Sequence, residues 1–425
     1  MASLRRIILL AMITAGSIWI WFDVLQDDDD NESSIDRRPV LEMAEAATTE
    51  VSAEIIEEVE ILEEEEETPE EVETSLEEIA EKFFYNQLDD RQQVIYREIR
   101  NGVAHGYEEI RVDTDNAEEV SDIYRLVLFD HPEFFWVTNA GLATVFTWTD
   151  GRSYTIFEPD YIHTGAAKEA MQVEIEAAVD AFLASIDPGL TEYELVRAVY
   201  EYIIMTTTYN EESSDNQNIY SVFVNRESVC AGFSKAAQLL LSRLGIFATY
   251  VTGVAYVPGV SSAPIPHAWN LVRVYGEYYY LDVTWGSPAF QEGSGLADRI
   301  DILYDYLLLN EEKLFRTHTL AEGLVMPPVT SLYHNFFVMN DMFYETHDPG
   351  QVLEAMNASI LNREDWVAFQ FATPELFQAM RPIIIEELAP EAARNLAYWY
   401  GLGSVQYFIR EKENLNKITL YWVYE

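Results

Sequence analysis

Cysteine is nearly absent from this chain: Cys230 is the only one in 425 residues. A lone thiol closes no internal disulfide and builds no cysteine-rich zinc centre, so the fold has to be held by packing. Positive charge is the second scarcity. Lysine and arginine together number 26 against 74 acidic residues, a formal charge of −48, and lysine supplies six of the 26. So acidic a surface repels phosphate backbones and excludes nucleic acid as a partner. Also missing are a Gly-rich phosphate loop, an H-E-x-x-H helix and acids at EF-hand spacing. No cofactor is therefore read from the sequence, and although its acid runs offer calcium ligands in number, no calcium site is identifiable. What the chain does have is 49% hydrophobic and 13% aromatic residues, enough to bury a core. Its length suits roughly two or three folding units.

The charge is unevenly spread. The first 26 residues carry +1, the next 52 (Asp27–Glu78) carry −21, and the remaining 347 carry −28. The acidic excess thus extends into the folded part. It fits an exported protein in saline or alkaline surroundings, and equally calcium binding or plain solubility. Arg5 and Arg6 precede the sixteen uncharged residues Ile7–Phe22, the pattern of an export signal. Trp19 and Trp21 suit the membrane interface at its outer end. Residues 1–26 are accordingly expected to be an uncleaved signal anchor, the alternative being a signal peptide cut near Ala15-Gly16 and a secreted product. Either way the rest of the chain lies outside the cell, at the extracellular face of the membrane if anchored. Residues 27–75, with the DDDD and EEEEE runs, read as a self-repelling, disordered linker.

Beyond the linker the pattern is α+β. In residues 76–164 we expect a helix over Glu77–Asn101, a strand near Glu108–Val112, a helix over Glu118–Leu128, an aromatic cluster at Phe134-Phe135-Trp136 and a strand at Tyr154–Phe157. Residues 165–320 open with two helices separated at Asp187-Pro188-Gly189, the second carrying Leu195, Val199, Tyr202 and Ile203 as a buried stripe. Next come a helix Ala231–Leu244 opened by Cys230, a strand Ala248–Val257, and two strands joined at Tyr275-Gly276. In residues 321–425 we expect helices near Pro374–Leu388 and Pro390–Tyr400 and a terminal hairpin, Ser404–Arg410 with Lys417–Tyr424.

The chemistry concentrates between Cys230 and Asp282. A cysteine in the first turn of a helix faces unpaired N–H groups and the positive end of the helix dipole, which stabilise a thiolate. A nucleophile also needs a base. Of seven histidines, His105, His131, His163, His267, His318, His334 and His347, only His267 begins a strand that turns straight back into another strand bearing an acid. If Tyr275-Gly276 is a two-residue turn, Val274 opposes Glu277, Trp269 opposes Asp282 and His267 opposes Thr284. Asp282 then shares a face with His267 and can hold its tautomer. One residue more in the turn would carry Asp282 to the other face. Taken singly, each of the three has an ordinary structural explanation: a buried thiol, a core histidine, a turn aspartate.

The segments V-C-A-G-F-S-K-A-A-Q-L-L-L-S-R-L-G-I, P-H-A-W-N-L-V and Y-Y-Y-L-D-V-T-W-G resemble the transglutaminase-like core of exported bacterial proteins, a group of papain-like thiol enzymes. Glu194–Asn210 and Tyr304–Leu309 resemble its flanks, so the likeness covers about residues 195–320. It implies an α+β fold in which the cysteine helix packs on an antiparallel sheet bearing histidine and aspartate, with flanking α+β regions. It implies Cys230 as nucleophile, His267 as general base and Asp282 as its orienter, acting on protein or peptide carboxamides, cell-wall or surface proteins among them. Cross-linking and amide hydrolysis both occur in this group. So do inactive scaffolds, and a non-catalytic surface-binding module is the alternative function. The Cys230 N–H is one expected oxyanion donor, with Gln217, Asn218 and Tyr220 as candidates for a second. Trp269, Tyr278–Tyr280 and Trp285 are candidate water-excluding walls or plain core.

Overall fold

The computed structural model describes residues 5–7, 79–256, 263–288 and 302–424. The linker expectation, and the signal expectation apart from Arg5–Ile7 (β1), concern residues outside these ranges. Among the described residues no helix is long and apolar enough to cross a membrane.

The first helix, α1 (Asp90–His105), starts where a side chain can satisfy its free N–H groups. The Asp89 carboxylate accepts from Gln92 N–H at 2.8 Å while the Gln92 side chain reaches back to Asp89 N–H. The helix expected from Glu77 therefore begins later, after a short turn at Tyr85–Gln87. Strand β2 (Ile110–Val112) and helix α2 (Ala117–Asp130) follow. Then come the paired strands β3 (Val137–Thr147) and β4 (Ser153–Tyr161), giving a sheet of order β1-β3-β4-β2. Strand β3 has no counterpart in the sequence reading. Its Asn139-Ala140-Gly141 stretch breaks the apolar alternation, and the register shifts between Val137 and Gly141 at that point. Asp130, buried at the end of α2, accepts from the backbone N–H groups of Phe84 and Tyr85 and from the Tyr96 hydroxyl, tying the entry segment to this layer.

Two helices lead into the central layer, α3 (Gly165–Ser185) and α4 (Glu192–Thr206), the latter capped by Thr191 and Glu194. The buried face of α4 is Tyr193, Val196, Val199, Tyr200, Ile203 and Ile204, whereas Leu195 and Tyr202 are half-buried. The expected stripe is thus rotated by about one residue, because tyrosines at 193 and 200 are drawn inward. A two-residue parallel pair, β5 (Thr208–Tyr209) and β6 (Glu227–Ser228), fixes the chain just before α5 (Cys230–Arg243). Helix α5 lies against an antiparallel sheet of β7 (Ala248–Ala255), β8 (Ile265–Val274), β9 (Glu277–Leu281) and β10 (His318–Leu320), in the order β10-β7-β8-β9. This is the α+β arrangement expected of a papain/transglutaminase-like core.

Strand β10 returns to the sheet through a short helix, α6 (Glu311–Leu314). The C-terminal region then builds a third sheet from β11 (Phe343–Tyr344), β12 (Trp366–Phe371), β13 (Gln406–Lys412) and β14 (Lys417–Val423), in the order β11-β12-β14-β13. Helix α7 (Pro349–Leu361) and the pair α8 (Pro374–Ile383) and α9 (Ala389–Tyr400) cover it. The two helices expected to part at Pro390 are joined through a wide turn, Ile384–Leu388, and Leu388 and Ala389 keep helical dihedrals.

The central and C-terminal layers share a buried ionic tie. Asp305 is fully buried, receives Lys412 Nζ at 2.7 Å and also pairs with Lys417. The two ammonium groups, more than burial opposes, hold its carboxyl down at about 2. Removing one partner of such a cluster strands charge in the interior. Asp305→Ala should therefore lower unfolding stability by about 3–5 kcal/mol, read by denaturant titration of the parent and variant chains.

Candidate active site

The turn that sets the site is the one the sequence suggests. Tyr275 and Gly276 both have positive φ, 50° and 83°, the dihedral pair of a type I′ hairpin turn, which glycine at the second position eases. Pairing runs from Val274 opposite Glu277 to Asn270 opposite Leu281 and stops there. His267 does not oppose Thr284, since the chain leaves the sheet after Leu281 and coils through Thr284–Gly286. Asp282 nonetheless stays on the face of His267. Its Oδ2 accepts from His267 Nε2 at 2.8 Å, and its Oδ1 from the backbone N–H of Trp285 at 3.1 Å.

With Nε2 committed to Asp282, the other ring nitrogen, Nδ1, is left for Cys230, which is a hydrogen-bond partner of the imidazole. Asn270 holds the cysteine helix to the histidine strand: its buried amide donates to the carbonyl of Ser234 on α5 at 2.9 Å and to that of Thr249 on β7 at 3.3 Å. The three residues singled out from the sequence are thus brought together. Cys230 is half-buried, while His267 and Asp282 are only 4% and 1% exposed.

His318 is a fourth member that the sequence reading passed over. It lies on β10, and its Nε2 reaches the same Asp282 Oδ2 at 3.1 Å. One donor atom each of His267, Asp282 and His318 lies within 4.8 Å of the others, a grouping with metal-ligand residue types. Both imidazoles, however, direct Nε2 at one carboxylate oxygen, which is the geometry of a hydrogen-bonded chain. Nothing in local sequence separates His318 from the other histidines, because it arrives on an edge strand 51 residues after His267.

Several expectations change here. Trp269, Tyr279, Tyr280 and Trp285 are at most 1% exposed. All four are core: Trp269 and Trp285 lie 6.0 and 5.7 Å, centroid to centroid, from the His267 ring, while Tyr279 donates to Ser331 and Tyr280 packs on Phe315. Half-buried Tyr278 packs on Phe247. Cys230 packs instead against the buried cluster of Ala231, Tyr250 and Ala268, on which Phe129 also packs, and the Tyr209 phenol is near enough to interact with it. Of the proposed second oxyanion donors, Asn218 spends its amide on the Phe135 carbonyl at 3.1 Å, Tyr220 donates to Glu174 at 2.7 Å, and Gln217 is exposed.

Burial alone would depress the His267 imidazolium, but the Asp282 carboxylate and the Cys230 sulfur outweigh it and raise the group to about 10. Asp282 is held at about 2, its burial overcome by the two imidazoles. The sign of the linkage follows. A histidine whose folded value lies above its unfolded 6.5 contributes stability in full below 6.5 and loses it as pH climbs toward 10. The parent should lose up to about 1.4 kcal/mol per pH unit across that window, and Asp282→Asn should not. The readout is the difference between the two stability–pH curves, because Lys417, pushed down to about 8 by burial, titrates alike in both.

The same stretch of chain is similar to known proteins. Residues 180–283, which contain Cys230, His267 and Asp282, match the family model described as the transglutaminase-like superfamily. The chain is 22% identical over 237 residues to the kyphoscoliosis peptidase of Mus musculus, and 23% identical over 237 residues to that of Homo sapiens. Each match takes in 50% of this chain and 34% of the relative, so the chain spans about a third of the length of these curated relatives. Among solved structures it is similar to the crystal structure of a TGase, at 17% identity and a TM-score of 0.25, over 44% of this chain and 52% of that one. Residues 180–283 match the core of the transglutaminase-like superfamily, and this part of the chain carries the similarity.

Proposed function

We propose that this chain is a thiol-dependent acyltransferase or amidase acting on protein or peptide carboxamides. The observation that carries the reading is the unbroken series Cys230, His267, Asp282, from a helix start through an imidazole to a buried carboxylate. The Cys230 thiolate adds to the carboxamide carbon, and the resulting oxyanion is met by the N–H of Cys230, which has no acceptor within the first turn of α5. His267 gives its proton to the departing amine or ammonia, the C–N bond breaks, and a thioester to Cys230 remains. An incoming amine or water, deprotonated by His267, then cleaves the thioester and restores the thiol.

The same series accounts for the separate environments of its members. Asp282 is sealed from water and stays ionised, so it fixes His267 without itself reacting. Of the three, only Cys230 is partly exposed, where it packs beside Tyr250 and near Tyr209. The basic and apolar character of residues 1–26 supports placing this chemistry outside the cell, with proteins or peptides of the surroundings as substrates.

No substrate is needed to test the reading, because Cys230 is the only thiol. Alkylation of the purified chain, followed against pH, should stay fast well below the free-thiol value of about 8.5 and should lose that fast phase in His267→Ala. A slow reaction that rises only near that value, the same in both proteins, would sink the proposal.

A further inference from the structure

The Asp282 carboxylate has more partners than orienting one imidazole requires. Oδ1 takes the Trp285 N–H, and Oδ2 takes both His267 and His318. An ionised carboxylate only accepts, so each histidine donates from Nε2. At the far side of the His318 ring, Nδ1 meets the Thr317 hydroxyl at 2.9 Å. The ring is enclosed by Trp285 at 4.5 Å, Trp269 at 5.0 Å and Tyr306 at 5.8 Å between centroids. It is 2% exposed. Burial, and repulsion from His267, keep it on the neutral side of its ordinary value. A neutral ring with Nε2–H toward Asp282 leaves Nδ1 to accept from the Thr317 hydroxyl, for whose one hydrogen the Leu314 carbonyl at 3.3 Å competes.

The backbone is shaped to bring this ring in. Gly253 on β7 sits opposite His267 on one side and Leu320 of β10 on the other. A Cβ there would lie 2.0 Å from the Thr319 carbonyl oxygen and 2.8 Å from the Trp269 ring. The strand carrying His318 therefore packs where only glycine leaves room.

We infer that His318 is a positioning residue of this site. Its Nε2–H and the Trp285 N–H together hold the Asp282 carboxylate in the one orientation that receives His267. The inference rests on the reading of Cys230 as nucleophile. Without the His318 proton, Asp282 can turn away from His267, the imidazolium loses its anion, and the thiolate beside it is formed less readily. The titratable groups around the network are His267 from β8, Cys230 from α5, and the phenols of Tyr200, Tyr209 and Tyr306. The Tyr200 and Tyr209 phenols, raised by burial, stay neutral across the range used in the test.

The test uses the full chain. His318→Leu keeps bulk and removes the donor, while His318→Gln supplies an amide N–H at nearly the same reach. In His318→Leu the acid limb of the Cys230 alkylation profile should move up by about one pH unit, about tenfold slower near pH 6. His318→Gln should stay within about twofold of the parent. A parent-like profile in the leucine variant overturns the inference. So does a glutamine variant as impaired as leucine, since that would mean packing rather than donation. A readout independent of variant folding is the imidazole nitrogen spectrum of the ¹⁵N-histidine-labelled parent, in which His318 should carry its proton on Nε2. A bare Nε2 also overturns the inference. A parent whose thiol is not activated at all would remove the proposed function while leaving the tautomer result standing.

Discussion

The arrangement depends on one buried anion. Asp282 sits in a shell of tryptophan and tyrosine rings with no route to water, where an unpaired carboxylate would cost several kcal/mol. Three donors, from the turn after β9, from β8 and from β10, make it tolerable. Each comes from a different segment, so the charge fixes the mutual placement of three pieces of chain. Only His267 passes the effect onward, to the helix start where Cys230 lies half-open to solvent. The gradient from sealed carboxylate to accessible sulfur lets one end be rigid and the other reactive.

Much of this was legible because its determinants are local. Tyr275-Gly276 has the residue types of a tight turn, and the turn sets which face Asp282 takes. A cysteine followed by an apolar run that closes on Gly245 marks a helix and its first residue. What was not legible comes from distant pairings. His318 reaches the site by lying along the free edge of β7, and no pattern near it announces that edge. The rotation of the α4 stripe has the same cause, since Tyr200 stacks on Tyr304 and donates to the Leu303 carbonyl, both far along the chain. Strand β3 escaped because an irregularity at Gly141 interrupts the alternation from which strands are read. The aromatic strands around Trp269 invited two interpretations, and burial decides for packing.

The flanking layers are fastened to the core by polar contacts at a few points. Asn218 and Gln238 give amide hydrogens to the Phe135 and Phe129 carbonyls of the N-terminal layer. On the other side Asp305 collects Lys412 and Lys417, and Arg316 donates to the Asn414 carbonyl at 2.9 Å. These contacts come from residues close to the catalytic candidates in sequence: Asn218 precedes Cys230 by twelve positions, and Asp305 follows Asp282 by twenty-three. The layers therefore bear on the frame of the site rather than on its reacting atoms.

The lysines show where the chain's few amines have gone. Lys313 and Lys417 are buried, and Lys82, Lys168, Lys235 and Lys412 are half-buried, so none of the six stands fully in solvent. Lys168 lies over the Trp136 ring, and Lys412 and Lys417 are spent on Asp305. Positive charge at the surface is left to arginine, whose guanidinium is a poor nucleophile toward a thioester. If Cys230 carries an acyl group as proposed, other copies of the chain would offer it no fully exposed lysine among the six, which would disfavour the protein as its own acceptor.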